Sequence, residues 1–258
     1  MKVRDITTEI EAFAPLSNQE VWDNSGLCIG SQDDEVHGVL LGLDCTPELV
    51  DEAVRRGCDM IVTHHPLIFG GLKKINRENP VGEAVMKAIS KGIAVYASHT
   101  AADKVPDGVS GAMASRLNLL NQRILDEDRP GSGLGIVGDL PGDMGSEDFV
   151  ALVKKQFNLK VVKCSHPLDG AIRTVAVCGG SGSSLIEQAM ASGAQAYVTG
   201  DVTYHHFFTG KDFMILDIGH YESEREIVDV LFSLLTKKFP NFAVRVSENI
   251  NSNPIFYF

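Results

Sequence analysis

The chain has 258 residues, 44% hydrophobic and 22% charged, a composition typical of a globular protein with a sizeable core. Its 34 acidic and 23 basic side chains give a formal charge of -11, which argues against non-specific binding to nucleic acid or to an anionic membrane. The five scattered cysteines form no CxxC pair, so neither a zinc knuckle nor a disulfide framework is indicated, and we expect reduced thiols.

The N-terminal residues predict an amphipathic helix that ends before Pro15, because Val3, Ile6, Ile10 and Phe13 recur at helical spacing. This segment lacks the apolar run of a signal peptide, and no segment is long and apolar enough to span a membrane. We therefore expect a soluble, cytoplasmic protein.

The first half of the chain predicts alternating strands and helices. An apolar strand at 39–43 precedes a helix with Thr46 as N-cap and Gly57 after its end, and a strand at 60–63 leads into two histidines. A second helix begins after Asn79 and ends at Gly92, and a strand at 93–98 follows. Such alternation is typical of a parallel sheet covered by helices.

The second half repeats this order, with a strand at 175–178, a helix at 183–191, a strand at 197–199 and a further strand at 213–218. Val39, Gly57 and Thr63 align without a gap with Val175, Gly193 and Thr199, which favours an internal duplication over two unrelated strand-helix-strand units. Residues 119–170 predict further strands and one helix, Ser146 to Phe157.

We therefore predict the α/β class, with two similar strand-helix-strand lobes and mixed, largely parallel sheets. The lobes comprise residues 1–120 and 121–258, packed closely as one unit without an inserted regulator-like domain. Open α/β sheets bind ligands at the carboxyl ends of their strands, so we expect a metal site at those ends, between the lobes.

Two adjacent histidines end one of the predicted strands. His64 and His65 project differently as the strand becomes a turn, which suits one ring for each of two metal ions. The alternative interpretation is that His64 and His65 are merely two surface histidines, although they interrupt an apolar run.

Other polar residues follow the ends of other strands. His220 and Glu224 are four residues apart at the start of a helix predicted over 221–237, so they share one helix face, and a carboxylate can bridge two cations. Asp103 offers a further anionic ligand or a turn residue, and His99 either orients a ligand or is a buried, hydrogen-bonded histidine.

Five motifs in this order resemble the Nif-three-like dinuclear-metal hexameric proteins, which are also known as GTP cyclohydrolase type II homologues. They are WDNSGL (22–27), THHPLIF (63–69), SHTAAD (98–103), TGD (199–201) and GHYESE (219–224). The resemblance covers nearly the whole chain.

The resemblance implies that the metal ligands are His64, His65, Asp103, His220 and Glu224, with Glu224 as the bridge between two divalent ions. It also implies a toroidal homohexamer built from dimers, with the metal sites facing an internal cavity. Of the two histidines after TGD, His205 and His206, the sequence does not indicate which faces the site. Zinc, iron and manganese all suit a mixed histidine and carboxylate ligand set.

Three functions follow from these residues. The first is metal-dependent hydrolysis of a small nucleotide or phosphorylated substrate, with His99 or His205 as proton shuttle. The second is a metal-binding scaffold or regulatory protein without turnover. The third is a metal-independent nucleotide-binding protein in which the glycine-rich loop 179–184 cradles a phosphate, although a tight strand-to-helix turn explains that loop equally well.

Overall fold

Helices and strands alternate along the chain in the computed structural model, which describes residues 1–248 and 253–256. The helices are α1 (Val3–Phe13), α2 (Pro47–Arg55), α3 (Pro80–Lys91), α4 (His99–Asp103), α5 (Val109–Arg116), α6 (Ser146–Gln156), α7 (Ile186–Ala191), α8 (His220–Glu224) and α9 (Ile227–Lys238). The strands are β1 (Gly26–Ile29), β2 (Gly38–Gly42), β3 (Met60–Thr63), β4 (Ala94–Ala97), β5 (Leu120–Arg129), β6 (Ser132–Met144), β7 (Lys163–Cys164), β8 (Ile172–Ser181), β9 (Ala196–Gly200), β10 (Met214–Asp217) and β11 (Ala243–Val246).

Two compact units divide the described residues. The first unit contains Met1–Ala102 and residues 227–248, and the second contains Asp103–Glu226 and residues 253–256. Residues 227–248 thus belong with the N-terminal part of the chain. The division at residue 120 that we expect from the sequence stays a prediction.

The first unit is built on a five-stranded sheet in the order β1-β4-β3-β2-β11, in which only the pairing of β1 is antiparallel. Every residue of β2, β3 and β4 is buried. Their continuous apolar sequences follow from this position, because helices cover the faces of a parallel sheet. The local signals around α2 and α3 are confirmed: the Thr46 hydroxyl accepts from Leu49 N (3.2 Å), and the Asn79 side chain accepts from Gly82 N (2.7 Å).

The second unit is built on a six-stranded sheet in the order β5-β6-β8-β9-β10-β7. The three central strands β8, β9 and β10 are parallel, and the pairings of β5 with β6, β6 with β8 and β7 with β10 are antiparallel. The predicted α/β class with two mixed, largely parallel sheets is confirmed.

The strand registers support the predicted duplication. In the first unit Val39 pairs with Met60, and in the second unit Val175 pairs with Ala196, so both pairs join residues 21 positions apart. Each helix of the repeat ends at a glycine with positive φ, Gly57 at +66° and Gly193 at +84°. In both units the edge strand next to the parallel strands, β1 or β7, is antiparallel and precedes them in the chain.

The structure differs from the sequence-based expectation at two helices. The helix expected over 221–237 is broken at residues 225–226 into α8 and α9, and the chain passes from the second unit to the first at this break. The helix expected over 183–191 begins as a 3₁₀ turn, Ser183–Leu185, before α7.

Candidate metal centre

Three histidines cluster at the carboxyl ends of two parallel strands in the first unit. His64 and His65 follow β3, and His99 begins α4 just after β4. The ring centroid of His64 lies 4.9 Å from that of His65 and 5.5 Å from that of His99. The ring centroids of His65 and His99 are 5.7 Å apart. His64 is fully buried and His99 nearly so, which is an unusual environment for two adjacent imidazoles.

A carboxylate lies against Nδ1 of three of the site histidines. The pairs are His65 with Asp44 (2.8 Å), His99 with Asp23 (2.5 Å) and His220 with Asp201 (2.7 Å). An ionised carboxylate only accepts hydrogen bonds, so Nδ1 is the protonated nitrogen in each pair and Nε2 of the neutral ring carries the lone pair. This carboxylate-histidine arrangement is common where Nε2 is a metal ligand.

Helix α8 places two of the predicted ligand atoms side by side. His220 Nε2 and Glu224 Oε2 are 3.0 Å apart on one helix face. A lone pair and a carboxylate oxygen repel each other at that distance unless a proton or a cation lies between them. Two ligands bound to one ion at about 2.0–2.1 Å are separated by about 3 Å, so this pair fits a divalent cation.

The backbone of β8 fixes the position of the Glu224 carboxylate. Gly180 has φ of +63°, and a Cβ built there would lie 2.2 Å from Glu224 Oε1. The Gly180 amide donates to Ser223 Oγ (2.9 Å), and that hydroxyl donates to the His220 carbonyl (2.7 Å). Glycine at 180 is therefore required for the carboxylate to approach this closely.

Each unit holds part of the predicted ligand set. His64 and His65 belong to the first unit, and Asp103, His220 and Glu224 belong to the second.

Asp103, the remaining predicted ligand, is the last residue of α4. Burial raises the pKa of the Cys178 thiol to about 12, and the negative charges of Asp103 and, more weakly, Glu224 contribute to the increase. Both carboxylates of the predicted ligand set thus lie within electrostatic range of the same thiol in the second unit.

Helices α4 and α8 carry the same pattern. Each has five residues, follows a parallel strand, begins with a histidine and ends with an acidic residue: His99 with Asp103, and His220 with Glu224. The sequence predicts His220 and Glu224 on a shared helix face, and the corresponding pair of His99 and Asp103 was missed. The signal is present in the motifs SHTAAD and GHYESE, which align residue by residue.

Backbone strain also marks the site. Of the five non-glycine residues with positive φ among those described, three are asparagines, which tolerate this conformation. The other two are His99 (+21°) and Asp201 (+53°). Strained residues persist where the surrounding structure holds them in place, and they often lie at functional sites.

The two histidines after TGD lie in the 3₁₀ turn Tyr204–Phe207, and both are exposed. The ring of His205 contacts the edge of Tyr204 at 5.3 Å between centroids, and His206 Nδ1 lies 3.0 Å from Thr203 Oγ1. The proton-shuttle role of His205 stays a prediction.

The glycine-rich loop 179–184 is a tight turn with internal hydrogen bonds. The Gly182 amide donates to Thr199 Oγ1 (3.1 Å), and the Gly182 carbonyl accepts from Tyr197 Oη (2.9 Å). A Cβ at Gly179 would lie 2.2 Å from Val109 Cγ1. The glycines therefore permit close packing inside the second unit, and the structure favours the turn over a phosphate cradle.

The fold and these residues define a class: an α/β protein with histidine and carboxylate groups suited to divalent metal ions. The sequence profile of the Duf34/NIF3 (NGG1p interacting factor 3) family matches residues 1–254. The chain belongs to the Duf34/NIF3 family, as its motifs indicate.

Individual relatives agree with this assignment. A Clostridium acetobutylicum protein named GTP cyclohydrolase 1 type 2 homolog is 33% identical over 258 residues, which cover 96% of each chain. The crystal structure of Staphylococcus aureus hypothetical protein SA1388 has a TM-score of 0.91 at 31% identity and covers 100% of this chain and 99% of its own. A Bacillus cereus protein related to NIF3 has a TM-score of 0.90 at 24% identity over 100% and 99% of the two chains, a likeness that shows the fold alone.

Proposed function

We propose that the chain binds two divalent metal ions through His64, His65, Asp103, His220 and Glu224, with Glu224 as the bridge, at the carboxyl ends of the strands. The observation that carries this proposal is the set of histidines whose Nδ1 faces a carboxylate, which directs Nε2 toward a cation. The close pair of His220 Nε2 and Glu224 Oε2 in the second unit supports it. The NIF3 family is metal-associated and in general oligomeric, and we propose a homohexamer.

The donor set narrows the choice of metal. Imidazole nitrogens and carboxylate oxygens suit zinc, iron and manganese, and the proposed set contains no thiolate. Asp44 and Asp201 add negative charge behind His65 and His220, which helps to offset two dications.

We further propose that the site hydrolyses a nucleotide or phosphorylated substrate. When bound, two divalent ions supply Lewis acidity, activation of water and neutralisation of an oxyanion. His99 moves the proton at Nε2, because Asp23 holds its Nδ1 proton and its ring borders His64 and His65. The exposed His205 is the second candidate for this role.

Metal analysis of protein purified without chelator tests the ligand set. We expect about two ions per chain in the wild type, fewer in His64→Ala and fewest in Glu224→Ala, since loss of a bridging carboxylate affects both ions. His37→Ala is the matched control, because His37 is an exposed histidine paired with Asp59. Metal-free wild-type protein, or equal losses in all three variants, would end the proposal.

Turnover separates an enzyme from a scaffold. The metal-loaded protein is assayed against phosphoesters, nucleotides and cyclic amides, with and without removal of metal. Metal-dependent turnover that His99→Gln lowers supports the hydrolase. Two bound ions without turnover of any of these substrates would instead support the metal-binding scaffold or regulatory protein.

Every helix among residues 1–248 and 253–256 is too short or too polar to span a lipid bilayer. The five cysteines are free, and three of them are buried.

A further inference from the structure

Two exposed aromatic rings lie close together in the first unit. Trp22 and Phe69 have 60% and 54% of their surface exposed, their ring centroids are 5.9 Å apart, and their planes differ by 19°. Because neither ring buries its full area in the core, the fold lacks much of the hydrophobic stabilisation that burial of these rings would provide. Neighbouring exposed aromatic rings that are nearly parallel require an explanation beyond folding.

Hydrogen bonds hold the chain on both sides of this aromatic pair. The Asn24 side chain donates to the Ile68 carbonyl (2.6 Å) and ties the two aromatic segments together. The buried Asp23 carboxylate accepts from the Thr100 amide (3.1 Å) and the Ser25 hydroxyl (2.7 Å). The rings are thus exposed but fixed, as a preorganised binding surface requires.

The aromatic pair borders the histidine cluster. The ring of His99 makes edge contacts with Trp22 at 5.9 Å and with Phe69 at 5.2 Å between centroids. His99 in turn contacts His64 and His65, which are proposed metal ligands. A molecule stacked on Trp22 and Phe69 therefore lies beside the groups to which chemistry is assigned.

The segment that follows Phe69 is cationic, although the chain as a whole carries a charge of -11. Residues 70–79 contain Lys73, Lys74 and Arg77 and one acidic residue, Glu78. All four are exposed, and within the described chain none of the three cations forms an ion pair. Exposed cations four to eight residues after Phe69 favour a ligand that combines a planar ring with an anionic group.

We propose that Trp22 and Phe69 stack on the planar heteroaromatic ring of an anionic substrate of the nucleotide class, and that Lys73 and Lys74 attract its phosphate. This inference rests on the proposed function, because it assigns a substrate class to the same site. Stacking on an aromatic side chain accepts any flat ring with a π-face, so the pair determines the class of substrate and not the particular base.

Trp22 is the only tryptophan in the chain, so its fluorescence reports on this surface alone. Metal-loaded protein is titrated with guanosine monophosphate, and with ribose 5-phosphate as the ligand that lacks a base. Free tryptophan in the same solutions corrects for absorption by the nucleotide. We expect saturable quenching by the nucleotide and none by the sugar phosphate. If the protein holds its metal but the nucleotide causes no quenching, the stacking inference is wrong and the proposed metal site is unaffected. If the purified protein holds no metal, the proposed function itself is refuted.

Variants test each contact. Phe69→Leu should raise the apparent Kd for guanosine monophosphate about 5-fold or more, which is the loss of affinity expected for one aromatic-base stack. Phe208→Leu, at a 73% exposed phenylalanine in the second unit, is the matched control and should bind like the wild type. The double variant Lys73→Gln/Lys74→Gln should weaken binding of the nucleotide but not of guanosine. Unchanged nucleotide binding by Phe69→Leu would refute the stack. A fluorescence change that depends on protein concentration and not on nucleotide concentration would also refute it. In that case the aromatic pair would form a contact between two copies of the chain.

Discussion

Gly180→Ala tests how the chain holds the Glu224 carboxylate. Gly180 has φ of +63°, and the added Cβ would lie 2.2 Å from Glu224 Oε1 and 3.2 Å from its Cδ. The first separation is far shorter than a van der Waals contact, so the carboxylate must move. If Glu224 bridges two ions as proposed, its displacement lowers metal affinity.

Gly57→Ala separates this displacement from backbone strain. Gly57 has φ of +66°, nearly the same as Gly180, but a Cβ there would meet nothing within 4 Å. Left-handed backbone costs an alanine about 1–2 kcal/mol, which both variants lose from the free energy of unfolding. Only Gly180→Ala also disturbs a ligand, and disturbing the partners that orient ligands typically weakens metal binding about 10- to 100-fold.

Competition with a chelator measures metal affinity, and thermal unfolding with and without metal measures stability. We expect both variants to unfold at lower temperature than the wild type without metal, and only Gly180→Ala to lose at least about tenfold in metal affinity. If Gly180→Ala binds metal as tightly as Gly57→Ala, the close packing of Glu224 against Gly180 does not govern the site and the reasoning fails.

Two further predictions concern carboxylates that pair with histidines. Asp201→Asn should weaken metal binding about 10- to 100-fold in the same chelator assay, because it removes the negative charge that Asp201 places against His220 Nδ1. The exposed Asp212→Asn should have no effect, and equal affinities of the two variants would contradict this prediction. Burial opposes ionisation of Asp23, but hydrogen bonds from His99, Thr100 and Ser25 outweigh it and hold the pKa of Asp23 well below its usual range. A lowered pKa in the folded state stabilises the protein at neutral pH, and this contribution is lost as the pH falls below about 5 toward the folded-state pKa. Urea unfolding between about pH 6 and 2 should therefore show a steeper loss of stability in the wild type than in Asp23→Asn, and parallel profiles would refute the assignment.

Much of the fold was predictable because its signals are local. Thr46 and Asn79 cap α2 and α3 through hydrogen bonds to amides three residues away, and Gly92 ends α3 with φ of +65°. The break between α8 and α9 was missed, because no glycine or proline interrupts residues 221–237. That break follows the division of the chain into two units, which local propensity does not encode.

The candidate site, like the fold, was only partly predictable from the sequence. The histidines and acidic residues at strand ends were identifiable, because parallel strands bring their carboxyl ends to one edge of a sheet. The role of Asp23 was missed, since it lies 76 residues from His99 in the chain, and no spacing rule relates the two. The loop 179–184 stayed ambiguous for a similar reason: only its contacts with Thr199 and Tyr197 distinguish a packed turn from a phosphate cradle.

The sequence by itself determined the α/β class, the ends of α2 and α3 and the residue types of the proposed ligand set, because these depend on periodicity, capping and chemistry within short segments. Only the tertiary structure decided which carboxylate orients which histidine, why position 180 must be glycine and where Trp22 meets Phe69. Those facts depend on atoms within a few ångströms that the chain separates by tens of residues, and only the folded backbone brings such atoms together.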